Sequence, residues 1–292
     1  IYKFIMIENI KNVIFSSYGN ESTVHISKGI VKDYMNIIKT DNYYFAHNYN
    51  YNLIDNIENI PTKYKTYDLI NFDQIPTYII DNDTLLINMN GCQENPKYSN
   101  YNNDYIRYKT IHSNIIKSIL NIDFDAWSLP TIDNQLCDIN NIEAEFAAYR
   151  NFGDMYILVC NNDNYSNNSD FIFDDEITKY ILDYVFTYYK THVILTKKIK
   201  YQHQNLHYID SSNKNNISYI SAKVDIILGN LSNEHMFSFV QENITRNSMI
   251  SLSNNKNDGI WFTEQPNNII WSNNFDFENI TKLLDNKIKN SQ

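Results

Sequence analysis

Short apolar runs alternate with amphipathic stretches along the first half of the chain. Runs rich in Ile, Val, Tyr and Phe are typical of strands, and apolar residues that return every three or four positions are typical of helices. The predicted strands are Asn12–Ser16, Tyr43–Ala46, Pro76–Ile80 and Thr84–Met89. The predicted helices are Ile26–Ile37, a short one at Tyr51–Ile57, and Asn103–Leu120.

The same alternation restarts in the second half, after a stretch without a clean period. The segment NIDFDAWSLPTIDNQLCDINNIEAEFAAYRNFGD has only a possible short helix at Ile142–Tyr149, so we predict two domains, 1–150 and 151–292. The later predicted strands are Met155–Cys160, Val193–Thr196, Val224–Leu228 and Met249–Leu252. The later predicted helices are Asp174–Tyr189, Ile217–Ala222, Met236–Ile244 and Phe277–Ile288.

Repeated strand-then-helix order predicts the α/β class with parallel, doubly wound sheets. Two such halves predict two Rossmann-like domains that face each other across a cleft. In open α/β sheets, ligands bind beyond the carboxyl ends of the strands. This rule selects the loops that follow Phe15, Cys160 and Leu228 as candidate binding regions.

Composition and charge exclude several classes of protein. The chain has only 6 Gly and 5 Pro beside abundant Asn, Ile and Tyr, which is the signature of an AT-rich coding genome. A net charge of −10 argues against a nucleic-acid partner, because such proteins collect Lys and Arg on one face. No apolar run reaches the ~18 to 20 residues of a membrane span. Three scattered cysteines fit neither a disulfide scaffold nor a zinc site, so we expect a cytoplasmic protein.

One glycine stands at a chemically suggestive place, directly after an apolar strand. Gly229 and Asn230 are followed by Ser232 and Glu234 at the start of a predicted helix, where backbone N–H groups are free to bind an anion. An ordinary turn and a capped helix explain the same pattern equally well.

Asp-x-Asp occurs at 81–83 and 123–125, but in a chain this rich in Asn and Asp we interpret both as turns and expect no metal site.

The region 217–280 resembles the C-terminal half of GT-B-type glycosyltransferases of the heptosyltransferase-like kind. The resemblance lies in SAKVDIILGNLSNEHMFSFVQENI, then MISLSNNKNDGIWF and IIWSNNFDFENI, with SSYGNESTVHISKGIVKDYM similar to the family's acceptor-side loop and first helix. It implies the transfer of a hexosyl or heptosyl group from a nucleotide-sugar donor to a hydroxyl of a glycan, protein or lipid acceptor. It also implies no metal and no cofactor other than the nucleotide-sugar substrate.

The resemblance assigns candidate residues to both halves. For the general base, we expect His25, with Glu21 in the same loop as the competing candidate. The candidate donor-binding residues are Asn161, Asn162, Lys197, Lys198, Gly229, Asn230, Ser232, Glu234 and Glu242.

Two alternatives stay open beside the transferase. A catalytically inactive module that binds a nucleotide or a sugar is favoured by the lack of a basic residue close to Ser232 in the sequence. A methyltransferase or dehydrogenase is disfavoured because no G-x-G-x-x-G stands in the chain.

Overall fold

A computed structural model of the chain describes most of the residues in two compact units, Ile1–Thr131 and Ile132–Gln292. The described residues are 9–17, 21–49, 51–60, 78–89, 104–125, 128–149, 154–161, 173–230, 233–246, 248–252, 269–274 and 276–291.

The first unit contains a five-stranded sheet in the order β3-β2-β1-β5-β4. Its strands are β1 Asn12–Ser16, β2 Asn42–Ala46, β3 Glu58–Ile60, β4 Tyr78–Asp81 and β5 Thr84–Asn88. Two helices are described, α1 Glu21–Ile37 and α2 Asp104–Leu120. The strands pair in parallel, except that β4 runs antiparallel to β5. The buried positions of β1, such as Val13 and Phe15, are fully enclosed together with Ile30 and Tyr34 of α1, so the core lies between sheet and helix.

The segment 128–131 is attached closely to helix α1. Asp33 accepts hydrogen bonds from the backbone N–H of Ser128 at 2.9 Å and from its hydroxyl at 2.6 Å. Lys32 Nζ donates to Thr131 Oγ1 at 2.8 Å. Gly29 makes this approach possible, because a Cβ added there would stand 1.7 Å from the carbonyl oxygen of Ser128.

The second unit contains a six-stranded sheet in the order β11-β10-β9-β6-β7-β8. Its strands are β6 Met155–Cys160, β7 Thr191–Leu195, β8 Leu206–Tyr208, β9 Ile226–Asn230, β10 Met249–Leu252 and β11 Ile269–Ser272. The helices are α3 Ile139–Tyr149, α4 Asp175–Tyr188, α5 Asn215–Ser221, α6 Asn233–Met236, α7 Gln241–Ile244 and α8 Phe277–Ser291. All pairings are parallel. Counted from β6, the order is that of the Rossmann fold.

Helix α3 packs within the second unit. Tyr219 of α5 donates to Glu143 Oε1 at 2.5 Å, and the ring of Phe146 lies 5.0 Å from the ring of Tyr156 in β6. The division between the units at 131 and 132 therefore falls before α3, whereas the sequence pattern places the domain boundary after it.

The predicted α/β class with two Rossmann-like sheets is confirmed, and three local differences stand out. The short strands β3, β8 and β11 are not in the sequence prediction. The helix predicted at 51–57 is a set of bends and turns that includes left-handed Asn56, with φ of 59°. The helix predicted at 236–244 is two short helices, since Val240 between them is extended, with φ of −118° and ψ of 157°.

Candidate functional site

The strand order of the second unit defines one switch point, between β6 and β9. The sheet continues through β7 and β8 on one side and through β10 and β11 on the other, so the loops leaving β6 and β9 diverge. Cys160, the last residue of β6, pairs with Gly229 of β9. A crevice at such a point is where Rossmann-type sheets bind ligands. We use the name switch-point site for Asn161, Asn230 and Glu234, which follow or end these strands, together with Lys197 and Lys214, which contact Asn161 and Glu234.

Asn161 holds the loop that follows β7. Its Oδ1 accepts from the backbone N–H of Lys197 at 2.9 Å, and its Nδ2 donates to the carbonyl of Lys197 at 3.0 Å. The backbone N–H of Asn161 also donates to Thr196 Oγ1 at 3.1 Å. The side chain predicted to bind the donor therefore positions Lys197 instead of projecting an unused amide.

The neighbouring residues Lys197 and Lys198 contact different groups. Lys197 Nζ lies 3.5 Å from Asp175 Oδ1 in the first turn of α4, and both side chains are partly exposed. Lys198 Nζ lies 5.9 Å from the ring centroid of Tyr208 on the edge strand β8. Of these two lysines, Lys197 is the one that lies beside the switch point, because Asn161 contacts its backbone.

Gly229 is required for packing. It lies inside β9 rather than in a turn, and a Cβ added to it would come within 2.6 Å of Cγ and Nδ1 of His235. His235 is fully buried on α6, and its ring also meets Phe239 edge-on at 5.1 Å. The absence of a side chain at 229 makes room for an imidazole, which the sequence pattern alone does not indicate.

Burial of two imidazoles predicts loss of stability in acid. Desolvation lowers the pKa of His235 in the second unit and of His112 in the first to about 3, so both stay neutral in the folded protein. In the unfolded chain they bind protons below the ordinary histidine value of 6.5, and unfolding therefore takes up protons as the pH falls from there toward 3. At about pH 5 each should lower the free energy of unfolding by about 2 kcal/mol.

Urea unfolding at a series of pH values between about 7.5 and 5 measures this loss. A His235→Leu variant that folds should show a shallower pH dependence, by up to one proton, and His112→Leu should do the same. Stability that stays constant over that range would contradict the expectation.

Glu234 forms an ion pair that the sequence analysis does not foresee. Lys214 Nζ, from the residue before α5, lies 2.8 Å from Glu234 Oε1, and the two side chains are 13% and 2% exposed. Both charges act on Cys160 at the end of β6. Its pKa is raised first by burial and then by the Glu234 carboxylate, while the Lys214 ammonium opposes the shift. A basic residue therefore does stand at this site, supplied from a distant part of the sequence.

Asn230 is a predicted donor-binding residue whose side chain has an unused buried atom. It ends β9 and is 5% exposed, and its Oδ1 accepts no hydrogen bond from any group in the described part of the chain. A buried polar atom without a partner costs about 1 to 3 kcal/mol, so natural proteins seldom keep one without a reason.

The remaining predicted residues that the structure describes are Glu242, His25 and the backbone of Glu21. Glu242 of α7 accepts from the backbone N–H of Ile132 at 3.4 Å. His25 is fully enclosed in α1 of the first unit, and Glu21 is the first residue of that helix. Asn162 and Ser232 lie outside the described residues, as does the side chain of Glu21.

The first unit has its own switch point, between β1 and β5. Ser16 ends β1 and pairs with Asn88 of β5, and its Oγ is buried without a hydrogen-bond partner among the described residues. His47, which follows β2, is also buried, and burial lowers its pKa to about 4. The sequence pattern indicates this loop region but not Ser16 itself.

The described residues meet neither the requirements of a metal site nor those of a membrane-spanning helix. Within these ranges, no three His, Cys, Asp or Glu side chains are grouped so as to hold a metal ion. Of the helices in the same part of the chain, none has both the length and the apolar character needed to cross a bilayer.

Solved structures with the same fold are glycosyltransferases. A glycosyl transferase family 9 protein from Veillonella parvula aligns with a TM-score of 0.55 at 10% identity, over 94% of this chain and 89% of its own. The E. coli heptosyltransferase WaaC aligns in two structures. With ADP-2-deoxy-2-fluoro heptose the TM-score is 0.51 at 8% identity, over 94% of this chain and 99% of that one. With ADP it is 0.52 at 8% identity, over 96% and 99%.

This chain has the fold of those glycosyltransferases. The GT-B-like fold class and the resemblance to heptosyltransferase-like proteins are thus confirmed at the level of fold. No family model matches the sequence, and no curated protein does.

Proposed function

We propose that the protein is a glycosyltransferase that transfers a sugar from a nucleotide-sugar donor to a hydroxyl acceptor, with the donor bound at the switch-point site. The observation that carries the proposal is Asn230, whose buried Oδ1 has no hydrogen-bond partner among the described groups at the carboxyl end of β9. An amide oxygen accepts from a hydroxyl, so a ribose or sugar hydroxyl of the donor is the group that suits it. The shared fold with nucleotide-sugar enzymes supports this assignment.

Two lysines suit the diphosphate in this proposal. Lys197 is held at its backbone by Asn161, and in this proposal its Nζ exchanges the partly exposed contact with Asp175 for a phosphate. Lys214 is paired with Glu234, and its ammonium has three donor hydrogens, so it can also donate to a phosphate oxygen beside the end of β6. Charges fixed before the reaction stabilise a leaving diphosphate in a site of low dielectric. Glu242 and Lys198 are the weaker donor contacts, because each already lies against another group.

The general base is proposed to come from the first unit. Of the two candidates, His25 is fully enclosed and would need an opening of α1 to meet an acceptor hydroxyl. Glu21 starts α1 directly after the loop that follows β1, and it is therefore our first choice. Removal of a general base typically lowers the rate by ~10² to 10⁴, whereas donor affinity should survive because the donor residues belong to the second unit.

We expect the reaction to need neither a divalent metal nor a separate cofactor, because the lysines supply the counter-charge that a metal would provide. Activity and donor binding should therefore persist in EDTA. Loss of turnover in EDTA with recovery on adding Mg²⁺ or Mn²⁺ would overturn this part of the proposal.

Replacement of Asn230 tests donor binding directly. Calorimetry with ADP, UDP and GDP and their sugars should find one tight ligand for the wild type, and Asn230→Ala should weaken it by about tenfold, the cost of one hydrogen bond. Because Asn230 Oδ1 has no partner among the described groups, the same variant should keep its stability without ligand. Asn290→Ala, at an exposed asparagine of α8, is the matched control and should change neither property.

Three outcomes separate the possibilities. Equal nucleotide affinity in Asn230→Ala and wild type would show that Asn230 does not bind the nucleotide. Tight donor binding without hydrolysis or transfer would indicate that the protein is an inactive binding module rather than an enzyme. No binding of any nucleotide would overturn the proposal itself.

A further inference from the structure

The second unit has an open groove at the outer edge of its sheet, away from the switch-point site. Its volume is about 430 Å³, within the range of small-molecule sites. The groove lies along the edge strand β8 and the segment that leads into it, and β7 separates β8 from β6. The residues that line it are Tyr201, Gln202, His203, Gln204, Leu206 and Tyr208.

The rings of the groove are held by contacts with the rest of the unit. The Tyr201 hydroxyl donates to Asp183 Oδ1 at 2.6 Å, and the Tyr208 hydroxyl donates to the carbonyl of Ile199 at 3.3 Å. The His203 ring stacks on Phe186 with 3.8 Å between centroids and 16° between planes. Three flat side chains are therefore already ordered before any ligand arrives, which reduces the entropy lost on binding.

Two primary amides and one imidazole nitrogen of the groove are available to a ligand. The exposed side chains of Gln202 and Gln204 make no hydrogen bond within the described residues. Each amide carries two donor hydrogens and an acceptor oxygen. The backbone N–H of Asn205 donates to His203 Nδ1 at 3.2 Å, so in the neutral ring the proton is on Nε2, which is a further donor.

The charges of the lining favour a neutral ligand. None of the six lining residues carries a carboxylate, an ammonium or a guanidinium group. Outside the lining, Lys198 Nζ lies 5.9 Å from the centroid of Tyr208. A phosphate ligand would need charge-assisted donors, which the lining itself lacks. An aliphatic lipid chain would leave two primary amides and an imidazole without partners.

We propose that this groove binds a neutral oligosaccharide. The C–H faces of a sugar ring pack on aromatic side chains, and its neighbouring hydroxyls, each a donor and an acceptor, match the Gln amides and His203 Nε2. This site is additional to the donor site and does not depend on the proposed transfer reaction, because neither lysine of the switch-point site nor Asn230 belongs to it.

A panel of neutral oligosaccharides of glucose, galactose, mannose and N-acetylglucosamine tests the proposal on a glycan array, followed by calorimetry with the best binder. The double variant Gln202→Ala, Gln204→Ala should bind that oligosaccharide at least about tenfold more weakly, since two hydrogen bonds are lost. Gln241→Ala, at an exposed glutamine of α7 outside the groove, is the matched control and should bind like the wild type.

A second pair of variants tests the aromatic ring and the hydroxyl of Tyr201 separately. Tyr201→Phe keeps the aromatic surface, whereas Tyr201→Leu removes it, so only the leucine variant should lose most of the affinity. Circular dichroism and nucleotide affinity show whether each variant is folded. The proposal is overturned if no oligosaccharide of the panel binds, if the double glutamine variant binds as tightly as the wild type, or if acidic glycans or nucleotides occupy the groove instead.

Discussion

Lys214→Met is expected to lower the free energy of unfolding of the second unit by about 3 to 5 kcal/mol, the usual cost of leaving one partner of a buried ion pair alone. The Glu234 side chain is 2% exposed, and methionine fills the space of the lysine stem without its charge. The remaining carboxylate would then lie among Cys160, His235 and the end of β9 without its ammonium partner. Urea unfolding followed by circular dichroism measures the change.

A surface pair provides the control for this result. Lys117 Nζ lies 2.6 Å from Asp123 Oδ1, but the two side chains are 58% and 86% exposed, so Lys117→Met should cost less than about 1 kcal/mol. The double variant Lys214→Met, Glu234→Leu removes both buried charges and should be more stable than Lys214→Met alone. If Lys214→Met costs no more than Lys117→Met, the pair is solvated and does not form the charged centre of the switch-point site.

Gly29→Ala is expected to destabilise the first unit by at least about 3 kcal/mol, at the upper end of what overpacking costs. An added Cβ would meet backbone atoms of Ser128 and Leu129 at 1.7 to 2.8 Å, and a backbone cannot rotate away as a side chain does. The segment 128–131 would have to leave α1 and give up the hydrogen bonds between Asp33 and Ser128. Denaturant unfolding and proteolysis near residue 128 are the measurements.

The expected loss of stability in Gly29→Ala is opposite in sign to the change that helix propensity alone would give. In a helix without tertiary contacts, Gly→Ala stabilises by about 1 kcal/mol through backbone propensity. Asn36→Ala, at an exposed position of the same helix, reports that propensity gain alone. A Gly29→Ala protein that is as stable as the wild type would mean that segment 128–131 does not rest on α1 at this point.

The fold was largely predictable because its signals are local. The strands β1, β6 and β10 are continuous apolar runs, as fully buried parallel strands must be, and their predicted bounds match the observed ones. The short edge strands β3 and β8 carry mixed residues, because their identity as strands comes from pairing with β2 and β7 rather than from their own pattern.

The candidate site was predictable only in part. Asn161, Asn230 and Glu234 follow buried strands, so their sequence position already indicates the carboxyl edge of the sheet. Lys214 stands in the polar run SSNKNN, which has no period, and only the folded chain brings it to Glu234. The role of Gly229 depends on the ring of His235, a contact between side chain and backbone that no spacing rule encodes.

Glycine in most proteins both adopts positive φ and allows close packing, but in the described part of this chain these two roles fall to different residue types. The positive-φ residues other than glycine in the described part are all asparagines, Asn56, Asn82 and Asn121, with φ of 59°, 51° and 57°. Asparagine tolerates this left-handed region, and its codons contain no G, whereas every glycine codon begins with two. Both glycines in the described ranges, Gly29 and Gly229, instead stand where a methyl group would collide with another residue. Gly29 and Gly229 therefore mark interior contact points, and alanine substitution at these two positions would probe tertiary packing rather than turns.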